Sequence, residues 1–322
     1  MDADLVAVDG NVLTRRTLLK AVAIAAGRAK QTDREGLPGE VKAILTPLSR
    51  EEARRRGSLI LVAEDNEINQ KVILKQLTLL GRTADIANNG REALEFWQSG
   101  DYTIMFADLH MPEMDGYELT AAIRAAEKVV NETRASETNK PRIPIIAFTD
   151  NALKGEAEHC RAVGMDDYLS KPVQLVNLKA MLEKWLPMFT SDPISAETSP
   201  TETAPPTAGT SVAVDMNVLK ALIGDDEAMI REFLHDFRLS AAKITAELRT
   251  ACAAGLAADA SAHAHKLKSS ARSVGALALG ELCAEMEKAG KAGKAGGAET
   301  LMVLLPKFEQ ELASVEGFLD GY

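Results

Sequence analysis

The sequence predicts a parallel α/β domain followed by an all-helical bundle. Short apolar runs alternate with helical patterns between residues 58 and 187, whereas residues 214–322 contain long helical patterns and no strand pattern. A stretch rich in Pro, Thr, Ser and Ala separates the two regions at residues 188–213. Alternating strands and helices are typical of a parallel sheet with helices on both faces, and consecutive amphipathic helices are typical of an antiparallel bundle.

Five short apolar runs in the first region predict five strands. They are LILVAE (59–64), TADIA (83–87), YTIMFAD (102–108), IPIIAF (143–148) and DYLS (167–170). A helical pattern follows each strand, at residues 66–80, 90–98, 116–127, 153–164 and 173–186. This order predicts a doubly wound, five-stranded parallel sheet, whose ligand site should lie beyond the carboxyl ends of the strands.

Residues 31–57 and 188–213 are predicted to connect structured regions. The first is charged and carries several Gly and Pro, with a short helix expected at SREEARRR, where Ser49 caps and two glutamates occupy the first turn. The second lacks apolar periodicity and cannot bury enough surface to offset the entropy of ordering, so we expect a flexible linker.

Five helices are predicted in the second region, at residues 215–224, 225–253, 257–274, 276–289 and 298–317. In the third helix an apolar stripe recurs at 4-3-4-3 spacing, formed by Ala260, Ala264, Leu267, Ala271 and Val274. The opposite stripe is polar and consists of Ser261, His265, Lys268, Ser269 and Arg272. We expect Gly275 to end this helix.

Composition excludes several function classes. The net charge of −10 and the pI of about 5.2 argue against bulk binding to nucleic acid or to anionic membrane. The three cysteines form no C-x-x-C pair, which argues against a disulfide framework or a zinc cluster and favours the reducing cytoplasm. No apolar run approaches the roughly 20 residues of a membrane-spanning helix, so we expect no direct membrane contact.

An export signal is the alternative for residues 14–27. TRRTLLK followed by AVAIAAG resembles a twin-arginine signal. However, the preceding residues carry three aspartates, and the apolar run is at the short limit of the roughly 7–15 residues of a signal. We therefore favour an ordinary amphipathic helix and a cytoplasmic location.

Acidic residues stand at the predicted strand ends. Glu64 and Asp65 end the first strand, and Asp108 ends the third. At an effective dielectric near 20, two such charges about 4 Å apart repel by about 4 kcal/mol, so a divalent cation between them is expected. Carboxylates with water suit Mg²⁺. Thr149 and Lys171, after the fourth and fifth strands, complete a cradle for a phosphoryl group.

The motifs LVAEDN, FADLHMPEMDG, AFTDNA and YLSKPV, in this order, resemble the receiver domain of two-component signalling over residues 58–187. The resemblance implies a flavodoxin-like fold with Asp108 as phosphoacceptor. It implies Mg²⁺ bound directly by Asp65 and Asp108, with the backbone carbonyl of His110 as a third protein ligand and Glu64 acting through water.

The same resemblance assigns the remaining pocket residues. Lys171 would pair with the phosphoryl oxygens, after a cis peptide to Pro172, and Thr149 and Tyr168 would form the switch pair. Asp150 departs from the family pattern, and Asp115-Gly116 is expected to have a structural role. Asp150 stands where the family usually has a small residue, so we expect slower phosphorylation or altered access. Asp115-Gly116 we interpret as a turn with a left-handed glycine.

Two histidines stand close together in AHAHKLKSS (262–270). His263 lies about 160° from His265 around a helix, so a shared metal ion is not expected and His263 is interpreted as a boundary residue. HKLKSSARSVGA and LGELCAEMEKAG resemble a histidine phosphotransfer (HPt) domain over residues 214–322. The resemblance implies that His265 is phosphorylated on an exposed mid-helix face, aided by Lys268 and by Arg272. Ser269 replaces the family's usual glycine, a change we expect to be tolerated.

The two resemblances together predict phosphorelay signalling. Asp108 would accept a phosphoryl group from a phosphohistidine of an upstream histidine kinase domain and exchange it with His265, which would pass it to the receiver of a downstream response regulator. Residues 1–30 resemble the last strand and helix of a preceding degenerate receiver, and residues 31–57 the connector, which suggests part of a hybrid sensor kinase. No ATP-binding pattern is recognised. A phosphate sink, a reverse relay and a kinase acting on ATP remain the alternatives.

Overall fold

The computed structural model describes residues 46–133, 142–150, 154–186, 213–292 and 297–322, which belong to one compact unit. The interpretations of residues 1–30, of the connector up to residue 45 and of the linker from 188 to 212 lie outside these residues. Within the described residues of the connector, the predicted helix is confirmed as α1 (Arg50–Arg55), and the Ser49 hydroxyl accepts from the backbone N–H of Glu52.

Strands and helices alternate in the α/β domain as predicted. The strands are β1 (Ile60–Ala63), β2 (Ala84–Ala87), β3 (Ile104–Asp108), β4 (Ile145–Thr149) and β5 (Asp167–Ser170). The helices are α2 (Glu67–Leu79), α3 (Gly90–Gln98), α4 (Gly116–Thr133), α5 (Lys154–Val163) and α6 (Leu175–Trp185). All strand pairs are parallel, in the order β2-β1-β3-β4-β5. The predicted doubly wound sheet is confirmed.

Alternation along the strands builds a core on each face of the sheet. Leu61, Met105 and Ile145 point to one face, where they pack with residues of α3, α4 and α5. Their neighbours along the strands, including Ile60 and Phe106, point to the other face, where they pack with α2 and α6. Burial on both faces explains why the central strands are continuous apolar runs in the sequence. In the central strands β1, β3 and β4 it leaves polar groups room only at the ends.

Five helices form the bundle within residues 213–292 and 297–322, as predicted. They are α7 (Met216–Ile223), α8 (Glu227–Ala253), α9 (Ala257–Val274), α10 (Leu277–Lys291) and α11 (Gly297–Asp320). The apolar stripe predicted on α9 is fully buried in the bundle core. Gly275 ends α9 with a left-handed φ of 87°, which confirms its predicted role. None of the helices in the described ranges is long and apolar enough to cross a membrane.

The bundle packs against the α/β domain through α2. Ile68 and Val72, which are 1% and 5% exposed, join the core cluster of the bundle. These two residues lie on the side of α2 that faces away from its own sheet. Ile73 and Leu77 lie on the opposite side and pack against the sheet. The docked bundle therefore extends the hydrophobic core across the two domains.

The prediction of a left-handed turn at Gly116 is wrong. Gly116 begins α4, and Glu113 is the residue near this position with a positive φ, of 67°. Glycine is needed at position 116 for another reason. A Cβ atom there would lie 2.3 Å from the carbonyl oxygen of Asp108. The missing side chain lets the start of α4 approach the backbone of β3 at its carboxyl end.

Candidate functional site

Three carboxylates meet at the carboxyl edge of the sheet, as the sequence predicts. Glu64 and Asp65 follow β1, and Asp108 is the last residue of β3. Carboxylate oxygens of all three lie within 4.8 Å of one another, and both Glu64 and Asp108 are buried. Burial raises the pKa of Glu64 to about 7, and the charges of Asp108 and Asp65 add to this effect against the opposing charge of Lys171.

Lys171 joins the two buried carboxylates. Its Nζ atom lies 2.6 Å from Oε2 of Glu64 and 2.7 Å from Oδ2 of Asp108. Burial alone would lower the pKa of the Lys171 ammonium, but Asp108, Glu64 and Asp150 outweigh burial and hold that pKa above its ordinary range. The predicted cis peptide between Lys171 and Pro172 is confirmed. The ammonium is therefore charged and fixed beside the predicted phosphoacceptor.

The predicted switch residues lie on the two neighbouring strands. Thr149 is the last residue of β4 and is 2% exposed. Tyr168 lies on β5, where it pairs in register with Ala147 and packs partly buried against the core on one face of the sheet. The structure thus brings Thr149 to the edge that carries Asp108 and places Tyr168 one strand further out.

A cation site fits the three carboxylates. Opposite oxygen ligands of one Mg²⁺ ion lie about 4.2 Å apart, close to the span of this cluster, and hard oxygens are the donors that Mg²⁺ prefers. Lysines neutralise the cluster in this structure: Lys171 contacts Glu64 and Asp108, and Nζ of Lys266 lies 2.9 Å from Oδ2 of Asp65. His110, whose carbonyl is a predicted ligand, donates its backbone N–H to Asp108 at 3.3 Å.

The bundle presents α9 to this edge. His265 lies in the middle of α9, and its ring stacks edge-on with the ring of His110 at 5.3 Å between centroids. Nδ1 of His265 lies 3.6 Å from Oδ2 of Asp150. The sequence predicted an exposed His265, but the side chain is only 14% exposed because the α/β domain covers it. Burial, and then the neighbouring charge of His265, lower the pKa of His110.

Hydrogen bonds join α9 to α2 and to its N-cap residue, Asn66. Nδ2 of Asn66 donates to the carbonyl of Lys266 at 2.9 Å. Nδ2 of Asn69 donates to Oγ of Ser269 at 2.8 Å, and Oγ of Ser273 donates to Oδ1 of Asn69 at 3.1 Å. Ser269, expected to be a tolerated replacement of glycine, therefore supplies a hydrogen bond between the two domains.

Glu287 is a site residue that the sequence analysis missed. Its Oε1 lies 3.1 Å from Nδ1 of His265, and it accepts from Lys268 and Lys291, each at 2.6 Å. Burial alone would raise the pKa of the Glu287 carboxyl, but hydrogen bonds from His265, Lys268 and Lys291 outweigh burial and hold that pKa well below its ordinary value. The signal was available: Glu287 follows Leu279 and Cys283 on the apolar face of α10, where an unpaired charge would be costly.

The remaining predicted residues divide between the site and its surroundings. Nζ of Lys268 lies 2.8 Å from Asp150, so this residue belongs to the site. Arg272 instead binds Glu281 at 2.8 Å, on the neighbouring helix of the bundle. His263 is 26% exposed, with Nδ1 3.3 Å from a carboxylate oxygen of Glu247 on α8, in keeping with its interpretation as a boundary residue.

Comparisons with known proteins agree with this geometry. Residues 60–183 match the family model of the response regulator receiver domain, and residues 232–317 match the Hpt domain. The chain contains a receiver domain followed by an Hpt domain. Together these domains indicate phosphorelay signalling. The receiver supplies the carboxylate edge, and the Hpt bundle supplies His265.

The chain is similar to parts of much longer histidine kinases. It is 38% identical over 148 residues to probable histidine kinase 1 of Oryza sativa subsp. indica, covering 40% of this chain and 15% of that protein. It is 30% identical over 259 residues to the virulence sensor protein BvgS of Bordetella pertussis, covering 80% of this chain and 20% of that protein. The chain thus spans a fifth or less of these relatives.

A solved receiver domain is also similar. It is the receiver of sensor histidine kinase PA1611 of Pseudomonas aeruginosa PAO1, described with a magnesium ion in its active-site cleft. The identity is 37%, with a TM-score of 0.34, over 40% of this chain and 97% of that one.

Proposed function

We propose that this chain relays phosphoryl groups between aspartate and histidine. Asp108 receives the group from a phosphohistidine of an upstream histidine kinase and exchanges it with His265, which passes it to the receiver of a downstream response regulator. One observation carries the proposal: α9 lies against the carboxyl edge of the receiver, with the His265 ring 5.3 Å from the ring of His110, two residues after Asp108.

The exchange needs no other co-reactant. The bond from phosphorus to the Asp108 carboxylate breaks, its electron pair stays on that carboxylate, and a bond forms from phosphorus to an imidazole nitrogen of His265. Glu287 accepts at Nδ1, so Nε2 is left as the nucleophile. Lys171 and Lys268 balance the charge of the transferred group, and the hydroxyl of Thr149 donates to it.

Mg²⁺ belongs to this proposal as the resident cation. Asp65, Asp108 and the His110 carbonyl would hold it directly, and Glu64 through water. When bound, it neutralises negative charge that develops on the phosphoryl oxygens. After transfer to the receiver, Thr149 and Tyr168 act as the switch pair.

The docked bundle covers the edge that an upstream kinase must also reach. The bundle therefore has to leave before Asp108 is phosphorylated and again before His265 meets another receiver. We assign the receiver to residues 58–187, the linker to residues 188–213 and the HPt domain to residues 214–322. Because the linker tethers the two domains, the bundle stays at high effective concentration near the receiver after it undocks. A cytoplasmic location follows from the proposed kinase and regulator partners.

Phosphate mapping tests the route. The full chain is incubated with acetyl phosphate and Mg²⁺, alongside Asp108→Asn and His265→Gln variants. We expect hydroxylamine-sensitive label on the receiver and acid-labile label on the bundle of the unmodified chain. His265→Gln should keep only the first, and Asp108→Asn neither.

Two results would overturn the proposed route. One is label on the bundle of Asp108→Asn, and the other is a bundle that stays unlabelled in the unmodified chain. Stable label on Asp108 with none on His265 would favour the phosphate sink. Incubation with ATP alone tests the kinase alternative, because autophosphorylation on histidine would show that the chain acts on ATP.

A further inference from the structure

Asp150 adds a fourth carboxylate to the crowded edge of the receiver. It follows Thr149 at the end of β4, and its side chain is 17% exposed in the docked structure. The sequence suggests that this charge hinders phosphorylation. In the docked chain the charge is instead compensated, because burial, which would raise the pKa of Asp150, is outweighed by Lys268, Lys171 and His265, and that pKa is lowered.

The compensating cation comes from the other domain. Nζ of Lys268 lies 2.8 Å from Oδ2 of Asp150 and 2.6 Å from Oε2 of Glu287, and the Lys268 side chain is only 7% exposed. One ammonium is thus shared between a carboxylate of the receiver and a carboxylate of the bundle. The same carboxylate of Asp150 lies 3.6 Å from Nδ1 of His265. Asp150 therefore contacts both the predicted phosphorylated histidine and the cation one turn after it.

We propose that Asp150 is the docking residue by which this receiver selects a helix that carries a cation three residues after the histidine. The helix that docks on Asp150 in this structure is α9 of the same chain. A helix without that cation would cover Asp150 with no partner lysine in contact with it, and a largely buried charge without a partner disfavours association strongly. This inference rests on the proposed function only in taking His265 as the group that the docked helix presents.

The pair is distinct from the other charged contacts between the domains. Lys266 binds Asp65, which belongs to the predicted metal site, and its side chain is 37% exposed. Lys71 binds Asp236 at the outer rim, where the lysine side chain is 46% exposed. Lys268, whose side chain is 7% exposed, is the most buried of these three lysines, and an ion pair with a buried cation couples more strongly than one with an exposed cation, which salt screens. The Lys268–Asp150 pair should therefore dominate the electrostatic part of docking.

Docking can be measured in the full, unphosphorylated chain. Spin labels at Glu95→Cys in the receiver and Lys307→Cys in the bundle, both exposed positions, report the docked fraction by their distance distribution as sodium chloride concentration rises. The three native cysteines are buried and need not be replaced. The variants are Asp150→Asn, Lys268→Gln and the pair together, and the control is Asp101→Asn, which removes a receiver charge that pairs with Arg54.

We expect Asp150→Asn to lower the ratio of docked to undocked chain about tenfold. The ratio in the double variant should be about tenfold higher than the two single effects combined would predict, because both single changes remove the same contact. Asp101→Asn should leave the ratio unchanged. Additive effects of the two single changes, or an Asp150→Asn chain that docks as the unmodified chain does, would overturn the assignment. So would an unmodified chain that does not dock at low salt.

The docking experiment and the phosphate mapping test different claims, and either claim can be wrong while the other holds. If docking depends on Asp150 and no label ever reaches His265, the proposed relay is wrong while the docking residue stands. If label reaches His265 and docking is indifferent to Asp150, the relay stands and the docking residue is wrong.

Discussion

Nδ1 of His265 lies 3.1 Å from Oε1 of Glu287, a carboxylate on the neighbouring helix of the bundle. A carboxylate at one ring nitrogen fixes which nitrogen carries the proton, and the other nitrogen becomes the nucleophile. Glu287 is thus a positioning residue that acts through His265. Its other partners, Lys268 and Lys291, keep it ionised.

Glu287→Gln should slow phosphoryl transfer to His265 about tenfold, because the nitrogen that attacks is no longer held in one tautomer. The transfer rate is measured by following label from Asp108 to His265 across pH. The ¹⁵N chemical shifts of His265 report the tautomer directly. Glu285→Gln, on the exposed side of the same helix, is the control. A slow variant whose pH profile and tautomer match those of the unmodified chain would show a purely structural role.

Glu287 should also make stability depend on pH. Its pKa is lowered in the folded state, so its contribution is complete above the ordinary pKa of about 4.3 and is lost as the pH falls through the folded value. Glu287→Gln should lower the free energy of unfolding by about 1–3 kcal/mol at pH 7. That difference should shrink as the pH falls below about 4.5, as measured by urea unfolding. A difference that is constant with pH would contradict the assigned shift.

Lys266→Gln should tighten Mg²⁺ binding about fivefold in the full chain. In the docked structure the Lys266 ammonium lies 2.9 Å from Asp65, where it competes with a cation for that carboxylate. Isothermal titration calorimetry measures the affinity without any phosphoryl transfer. Lys307→Gln, an exposed lysine of α11, removes the same charge elsewhere and should leave the affinity unchanged. Equal affinities for Lys266→Gln and the unmodified chain would mean that Lys266 does not compete with the ion.

Gly116→Ala should destabilise the receiver by about 1–3 kcal/mol, because the new methyl group meets the carbonyl of Asp108 at 2.3 Å and the backbone of β3 must shift. Urea unfolding of the full chain measures the change. Gly155→Ala is the matched control, since a Cβ atom there meets nothing within 4 Å. If both variants unfold alike, the close approach at Gly116 carries no energetic weight.

Local sequence patterns predict both folds and much of the receiver site. Continuous apolar strands and their polar ends place Glu64, Asp108 and Lys171 at one edge, because the carboxyl ends of parallel strands always lie on the same side. Helical periodicity placed His265 opposite the apolar stripe of α9. These conclusions need only local patterns and one topological rule.

The surroundings of His265 depend on how the helices and the two domains pack, which local patterns do not predict. Glu287 lies 22 residues away, and Asp150 lies in another domain, so no local spacing connects either of them to the histidine. Their meeting depends on how α10 packs on α9 and on how α9 docks on the receiver. The role of Asp150 also depends on this docking. In the receiver alone it is an added negative charge, whereas in the docked chain it pairs with Lys268 and joins the two domains.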